Sequence, residues 1–142
     1  MGDLGEDPRP ARGAVREVFG VDRVAKLDYS PELDGAADPG EIVWAWVPYE
    51  EDPDRGKDRP LLVVGRAGGE LLGVMLSSHG DHGPEWLELG AWGRDGKVSY
   101  ARLDRVFLLS EEGIRREGAV LDAGRFTRVA AALQELHGWR VA

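Results

Sequence analysis

Two short apolar runs, separated by a charged loop, constrain the fold of this chain more than any other feature of its sequence. In the first run, Glu41 to Val47, every residue after Glu41 is apolar, so both sides of an extended chain are apolar. The second run, Leu61 to Val64, consists only of Leu and Val. Aliphatic and aromatic side chains suit a pleated sheet, and a strand that is apolar on both sides is buried on both. The two runs therefore predict buried strands, joined by an irregular loop over residues 48–58.

Three further strands and one helix are predicted downstream. The strands cover residues 70–78, 85–89 and 98–109, with Gly-Gly and Asp-Gly pairs as turn signals. A helix is predicted from Ala123 to His137, because Asp122 is a suitable N-cap and apolar side chains recur along one face. Residues 110–118 are predicted to be a polar, irregular segment.

These elements predict a mainly β fold, namely a small SH3-like β-barrel with a C-terminal α-helix and an N-terminal extension. The predicted boundary separates an acidic extension, residues 1–38, from a barrel domain, residues 39–142. Gly, Pro and charged residues dominate the start of the extension, which is typical of disordered segments. The apolar residues between Ala14 and Leu27 predict a short helix there.

The distribution of charge bears on the choice of partner. The net charge is −8, and residues 1–58 carry 15 acidic and 7 basic side chains, whereas residues 59–142 carry 11 of each. Because Lys and Arg drive polyanion binding by displacing counterions, an acidic chain opposes it. A nucleic-acid ligand therefore requires the basic groups to be gathered in one groove.

The absence of cysteine excludes disulfides and thiolate metal sites. No apolar run approaches the roughly 18 residues of a membrane span, and the first residues lack the apolar core of a signal peptide. We therefore expect a cytoplasmic protein with no membrane partner.

Two motifs carry a resemblance to a known family. Gly40-Glu41-Ile42-Val43-Trp44 and, after the loop, Gly56-Lys57-Asp58-Arg59-Pro60 resemble the opening of the MazF/PemK toxins, which are sequence-selective, metal-independent endoribonucleases. The resemblance implies a CcdB/MazF-like barrel, a homodimer, single-stranded RNA as substrate and an acidic antitoxin as a possible partner. It implies no cofactor.

The resemblance also implies catalytic residues. Arg59 stands where the family carries an active-site arginine, and Ser77 stands where it usually has a threonine that binds the scissile phosphate. Asp54 is the candidate base, or the group that positions Arg59. The alternatives are a salt bridge between Arg59 and a loop carboxylate, a turn-capping role for Ser77, and a solvated Asp54.

Four further residues are expected to contact RNA. Lys57 and Ser78 lie beside the catalytic candidates, Trp92 is a candidate for stacking or for an interface, and Arg105 stands nearest to a second basic group of the family. No metal site is expected, since the histidines and the aspartate of residues 79–82 would need further ligands from elsewhere.

Two other functions remain open. A non-catalytic binding module on the same barrel would fit the acidic composition, and a protein-directed poison would fit the relation to CcdB. An open basic groove around Arg59 would favour the nuclease, whereas an Arg59 buried in salt bridges would favour the module. A further hypothesis is that the acidic extension lies over the basic groove.

Overall fold

The computed structural model describes residues 15–18, 25–32, 37–79, 83–93 and 96–141. In chain order the elements are β1 (Val15–Val18), β2 (Ala25–Leu27), β3 (Glu41–Pro48), β4 (Gly56–Ala67), β5 (Glu70–Ser77), β6 (Trp86–Gly90), β7 (Ser99–Leu109), a single 3₁₀ turn (Glu111–Gly113), β8 (Ile114–Val120), α1 (Ala123–His137) and β9 (Arg140–Val141). The mainly β prediction, with one helix near the C-terminal end, is confirmed.

Two long strands, β4 and β7, organise the sheet. Along one edge, β4 pairs first with β3 and then, at its end, with β2, while β5 pairs along its other edge. In the same way, β7 pairs with β6 at its start and with β1 at its end, opposite β5. Each long strand therefore has two successive neighbours on one edge, and the antiparallel sheet curls into a half-barrel.

The core lies on both faces of the curled sheet, as the apolar runs predict. Leu61 and Val63 of β4 belong to one buried cluster, whereas Leu62 and Val64 belong to the other. Side chains alternate between the faces of a strand, so this separation requires an unbroken apolar run. The predicted central strand is thereby confirmed.

Helix α1 closes one of these clusters. Phe126, Val129 and Leu133 are its buried residues, and Asp122 caps it by accepting a hydrogen bond from the backbone N–H of Arg125. Both the cap and the bounds of the helix agree with the prediction. Tyr29 fastens the segment before β3 to this region, because its hydroxyl donates to the carbonyl of Leu121 at 2.7 Å.

The predicted short helix between residues 14 and 27 is wrong in the parts that the structure describes. Val15–Val18 and Ala25–Leu27 are strands that pair with β7 and β4. The two valines of β1 favour a strand, and the pairing partners of both strands lie far along the chain, so local periodicity does not find them. Gly65 permits this packing, since a side chain there would collide with the carbonyl of Lys26.

Two further segments are more regular than predicted. Residues 110–118 contain a 3₁₀ turn and most of β8, which pairs only with β3 among the described strands. Such edge strands commonly carry charged residues, so a search for apolar runs does not detect them. The predicted loop 48–58 is also shorter, because β4 starts at Gly56. The division at residues 38 and 39 stays a prediction.

Candidate active site

An open cavity of about 520 Å³ lies where the first residues of β4 meet the end of β5. The register of these strands pairs Leu61 with Met75. Arg59, two residues before Leu61, and Ser77, two residues after Met75, therefore lie at the same end of the sheet. Both line the cavity. The two principal catalytic candidates are thus brought together.

The lining of the cavity combines apolar and polar side chains, and its charged groups are mostly basic. It comprises Trp44, Lys57, Asp58, Arg59, Pro60, Leu76, Ser77, Ser78, His79, Trp92, Gly93, Lys97 and Ser99. Three of these side chains are cationic and one is a carboxylate, in a chain whose net charge is −8. The basic groups are therefore concentrated locally, which is the condition that an acidic chain must meet to bind a polyanion.

Arg59 is half-buried and available to a ligand. Among the residues that the structure describes, no carboxylate lies within salt-bridge distance of its guanidinium. Burial lowers the pKa of Arg59, because desolvation disfavours its charge; Tyr49 and Glu51 oppose this effect in part, and Arg105 adds to it. An anion that binds therefore stabilises the charge of this guanidinium more than it would stabilise the charge of a fully hydrated guanidinium.

Ser77 is oriented by the chain that follows it. Its Oγ accepts a hydrogen bond from the backbone N–H of His79 at 3.0 Å. Since this bond uses a lone pair of the hydroxyl, the hydroxyl hydrogen remains available for a ligand. Ser77 therefore caps the turn and can also donate to a phosphate oxygen.

Trp92 forms a fixed wall of the cavity. Its Nε1–H donates to Ser99 Oγ at 2.8 Å, and the half-buried ring packs against the core. An indole held in this way offers a face for base stacking. Lys57 and Ser78, the other expected RNA contacts, line the same cavity.

Asp54 is not brought to this site. It lies in the exposed loop before β4, where its backbone N–H donates to Asp52 Oδ1 at 3.3 Å. Its proposed role as a base stays a prediction that the position of the residue does not support.

Arg105 also lies outside the cavity. Its guanidinium contacts both carboxylate oxygens of Glu17, at 2.8 and 3.0 Å, and the carbonyl of Pro48 at 3.0 Å. The residue is 5% exposed and lines a separate cavity of about 480 Å³. An internal ion pair therefore already binds the guanidinium of Arg105. The expected contact between Arg105 and RNA stays a prediction.

A comparison with known protein families identifies the family of this chain. The model of the PemK-like, MazF-like toxin of type II toxin–antitoxin systems matches residues 38–137. The chain belongs to this toxin family. The resemblance inferred from the two motifs is confirmed. No curated protein matches the chain.

Solved structures share the fold of this toxin at low sequence identity. An endoribonuclease from a mycobacterial species is 15% identical, with a TM-score of 0.55 over 76% of this chain and 97% of that one. MazF of Deinococcus radiodurans is 22% identical, with a TM-score of 0.58 over 74% of this chain and 99% of that one. A MazE–MazF complex of the same organism is 23% identical, with a TM-score of 0.58 over 74% and 98%.

The toxin's cavity contains residues that sequence reasoning missed as ligand contacts. Lys97 lies in the connection between β6 and β7, Ser99 begins β7, and Trp44 of β3 also lines the cavity. Only the pairing of β5 with β7 brings this connection to Ser77, so the sole local signal is the Asp-Gly turn before Lys97.

The described residues show no cluster of three or more His, Cys, Asp or Glu side chains arranged to hold a metal ion. Asp81 and His82 lie outside the described residues. Within the same described ranges, no helix has the length and apolar character needed to cross a membrane.

Proposed function

We propose that this toxin is a metal-independent endoribonuclease that cuts single-stranded RNA at preferred sequences. The observation that carries the proposal is the open cavity in which Arg59 and Ser77 share one end of the sheet. The half-buried Arg59 has no internal carboxylate partner among the described residues. Family membership and the endoribonuclease activity of the mycobacterial relative support the same reaction.

The chemistry assigned to these residues is transesterification. The 2′-hydroxyl of a nucleotide attacks the adjacent phosphorus, the bond to the 5′-oxygen breaks, and negative charge builds on the equatorial oxygens. The guanidinium of Arg59 binds those oxygens through its fork of N–H groups, and Ser77 donates a further hydrogen bond. The products are a 2′,3′-cyclic phosphate and a 5′-hydroxyl.

The proposal includes partners and a location. The structure of a MazE–MazF complex similar to this chain makes an antitoxin the expected protein partner, and the basic cavity complements an acidic segment of such a partner. A homodimer is proposed from the family resemblance, and light scattering after size exclusion would test it. RNA cleavage under antitoxin control implies a cytoplasmic protein.

A cleavage assay tests the proposal. The protein is incubated with a long unstructured RNA in EDTA, beside Arg59→Ala and the control Arg66→Ala, which changes an exposed arginine at the other end of β4. We expect discrete cuts from the unaltered protein and from Arg66→Ala, and none from Arg59→Ala. RNA binding without cuts would instead assign the non-catalytic module, and cuts that disappear with EDTA would refute metal independence.

A further inference from the structure

A second, smaller cavity adjoins the cavity around Arg59. It has a volume of about 320 Å³ and is lined by Ser78, His79, Lys97, Val98 and Tyr100. Ser78, His79 and Lys97 line both cavities and so form the border between them. Both volumes fall within the range of small-molecule sites, and the smaller cavity adds an aromatic side chain. The pair has the form of two neighbouring nucleotide sites.

The residues at the border would contact the phosphate between two nucleotides bound side by side. If one nucleotide occupies each cavity, the phosphodiester that joins them passes between Ser78, His79 and Lys97. Ser77 lies beside this border, because its Oγ accepts the hydrogen bond from the backbone N–H of His79 at 3.0 Å. The phosphate that Ser77 and Arg59 bind is then within reach of the imidazole of His79.

The reaction needs a proton donor that Arg59 and Ser77 do not readily provide. A 5′-alkoxide leaves slowly unless it is protonated, while arginine keeps its proton and a serine hydroxyl gives one up only weakly. Asp54 lies in the exposed loop outside the cavity. Histidine is the side chain best suited to proton transfer near neutral pH.

Building on the function proposed above, we propose that His79 is the general acid that protonates the leaving 5′-oxygen. In this step the bond between the 2′-oxygen and phosphorus forms and the bond between phosphorus and the 5′-oxygen breaks. The imidazolium gives its proton to the 5′-oxygen, and the proton of the 2′-hydroxyl passes to water in the open cavity. Solvent then protonates the exposed His79 again.

The charges around His79 are consistent with this role. Lys57 and Arg59 of β4 and Lys97 in the β6–β7 connection are cations, Asp58 is an anion, and Tyr100 lies on β7. These cations attract the RNA phosphate to the border between the two cavities.

The test compares His79→Gln with the unaltered protein in single-turnover cleavage. Glutamine replaces an exposed side chain and preserves the backbone N–H that binds Ser77, so folding and the orientation of Ser77 are retained. The matched control is His137→Gln, at the end of α1 and outside both cavities, where the imidazole lies 2.8 Å from the carbonyl of Leu103. Thermal melting confirms that each variant is folded.

Two substrates separate acid catalysis from positioning. One is a short RNA with a single cut site, mapped with the unaltered protein, and the other carries sulfur in place of the 5′-oxygen at that site. Because a thiolate leaves without a proton, His79→Gln should cut the oxygen substrate about a hundredfold or more slowly, yet cut the sulfur substrate at close to the normal rate. His137→Gln should cut both normally.

Other outcomes are equally decisive. Normal cutting of the oxygen substrate by His79→Gln would overturn the proposal, as would an equal loss on both substrates, which would make His79 a positioning residue. If the unaltered protein cuts no RNA at all, the proposed nuclease function fails, and the assignment to His79 fails with it.

Discussion

Arg59 and Arg105 are arginines on neighbouring parts of one sheet, yet they stand in opposite situations. Arg59 is half-buried in an open cavity and has no carboxylate within salt-bridge distance among the described residues. Arg105 is 5% exposed, and Glu17 binds it through two nitrogens. The difference lies in the anion that each guanidinium meets, because the fold pairs Arg105 with Glu17 and leaves Arg59 open to a ligand. We therefore expect Arg59 to serve function and Arg105 to serve stability.

Replacing Arg59 should give the largest effect of all, a loss of cleavage activity with no loss of stability. Arg59→Ala removes the cation that stabilises charge in the transition state, so the cleavage rate should fall by about two to three orders of magnitude. Stability should be unchanged, because no internal ion pair is lost. Single-turnover cleavage and thermal melting measure the two quantities. A variant that unfolds would show that Arg59 is structural and would remove the contrast.

Replacing Arg105 should give the converse result. Arg105→Met preserves much of the side-chain volume but leaves Glu17 without its cation, and breaking a buried pair in this way costs about 3 kcal/mol. Urea denaturation measures the loss. Cleavage per folded molecule should be normal, whereas a loss of cleavage at unchanged stability would support the RNA contact that the family resemblance implies for Arg105.

Glu17→Gln should cost less than Arg105→Met. An amide oxygen still accepts a hydrogen bond from the guanidinium, so the expected loss is about 1 kcal/mol. This variant also tests the hypothesis of an inhibitory extension, and it does so without deleting residues 1–38, which would remove β1 and β2 from the sheet. The described parts of the extension do not line the cavity around Arg59, so we expect an unchanged cleavage rate. Faster cleavage would show that Glu17 restrains the enzyme.

The smallest expected effect is a change in the salt dependence of RNA binding. Lys57 lines the cavity, so Lys57→Ala should lower the salt dependence of binding by about 0.7 in the slope of log affinity against log salt, the value for one contact to a single strand. Fluorescence titration with a 2′-O-methyl RNA, which cannot be cut, measures the slope. Lys26→Ala, an exposed lysine on β2, is the control, and Arg105→Met should also leave the slope unchanged. Equal slopes for Lys57→Ala and Lys26→Ala would argue against RNA in this cavity.

The sequence predicts the parts of the fold that local patterns encode. Unbroken apolar runs give β3 and the centre of β4, and the cap at Asp122 gives α1. By contrast, β1, β2 and β8 owe their structure to partners far along the chain, and local patterns predict a helix for the first two and an irregular segment for most of β8. The charged start of β4 is missed for the same reason, since its pairing with β3 continues beyond the apolar run.

The same limit applies to the site. The sequence singles out Arg59 and Ser77, which share the cavity, because they belong to a family motif or stand at the end of a clear strand. It does not single out Lys97 and His79, which line the same cavity, because their proximity follows from how the hairpin folds back. Asp54 and Arg105 are singled out by charge and position but lie outside this cavity, so their expected roles stay predictions.

The pairing of the strands also sets an order of assembly. The cavity around Arg59 is lined by residues that run from Trp44 to Ser99. The ion pair of Arg105 instead joins residues 88 positions apart. Contacts between such distant residues form slowly, since a long loop must close first. During synthesis, Glu17 therefore leaves the ribosome long before its partner, and β1 must wait for β7, the same strand that supplies Ser99 to the cavity.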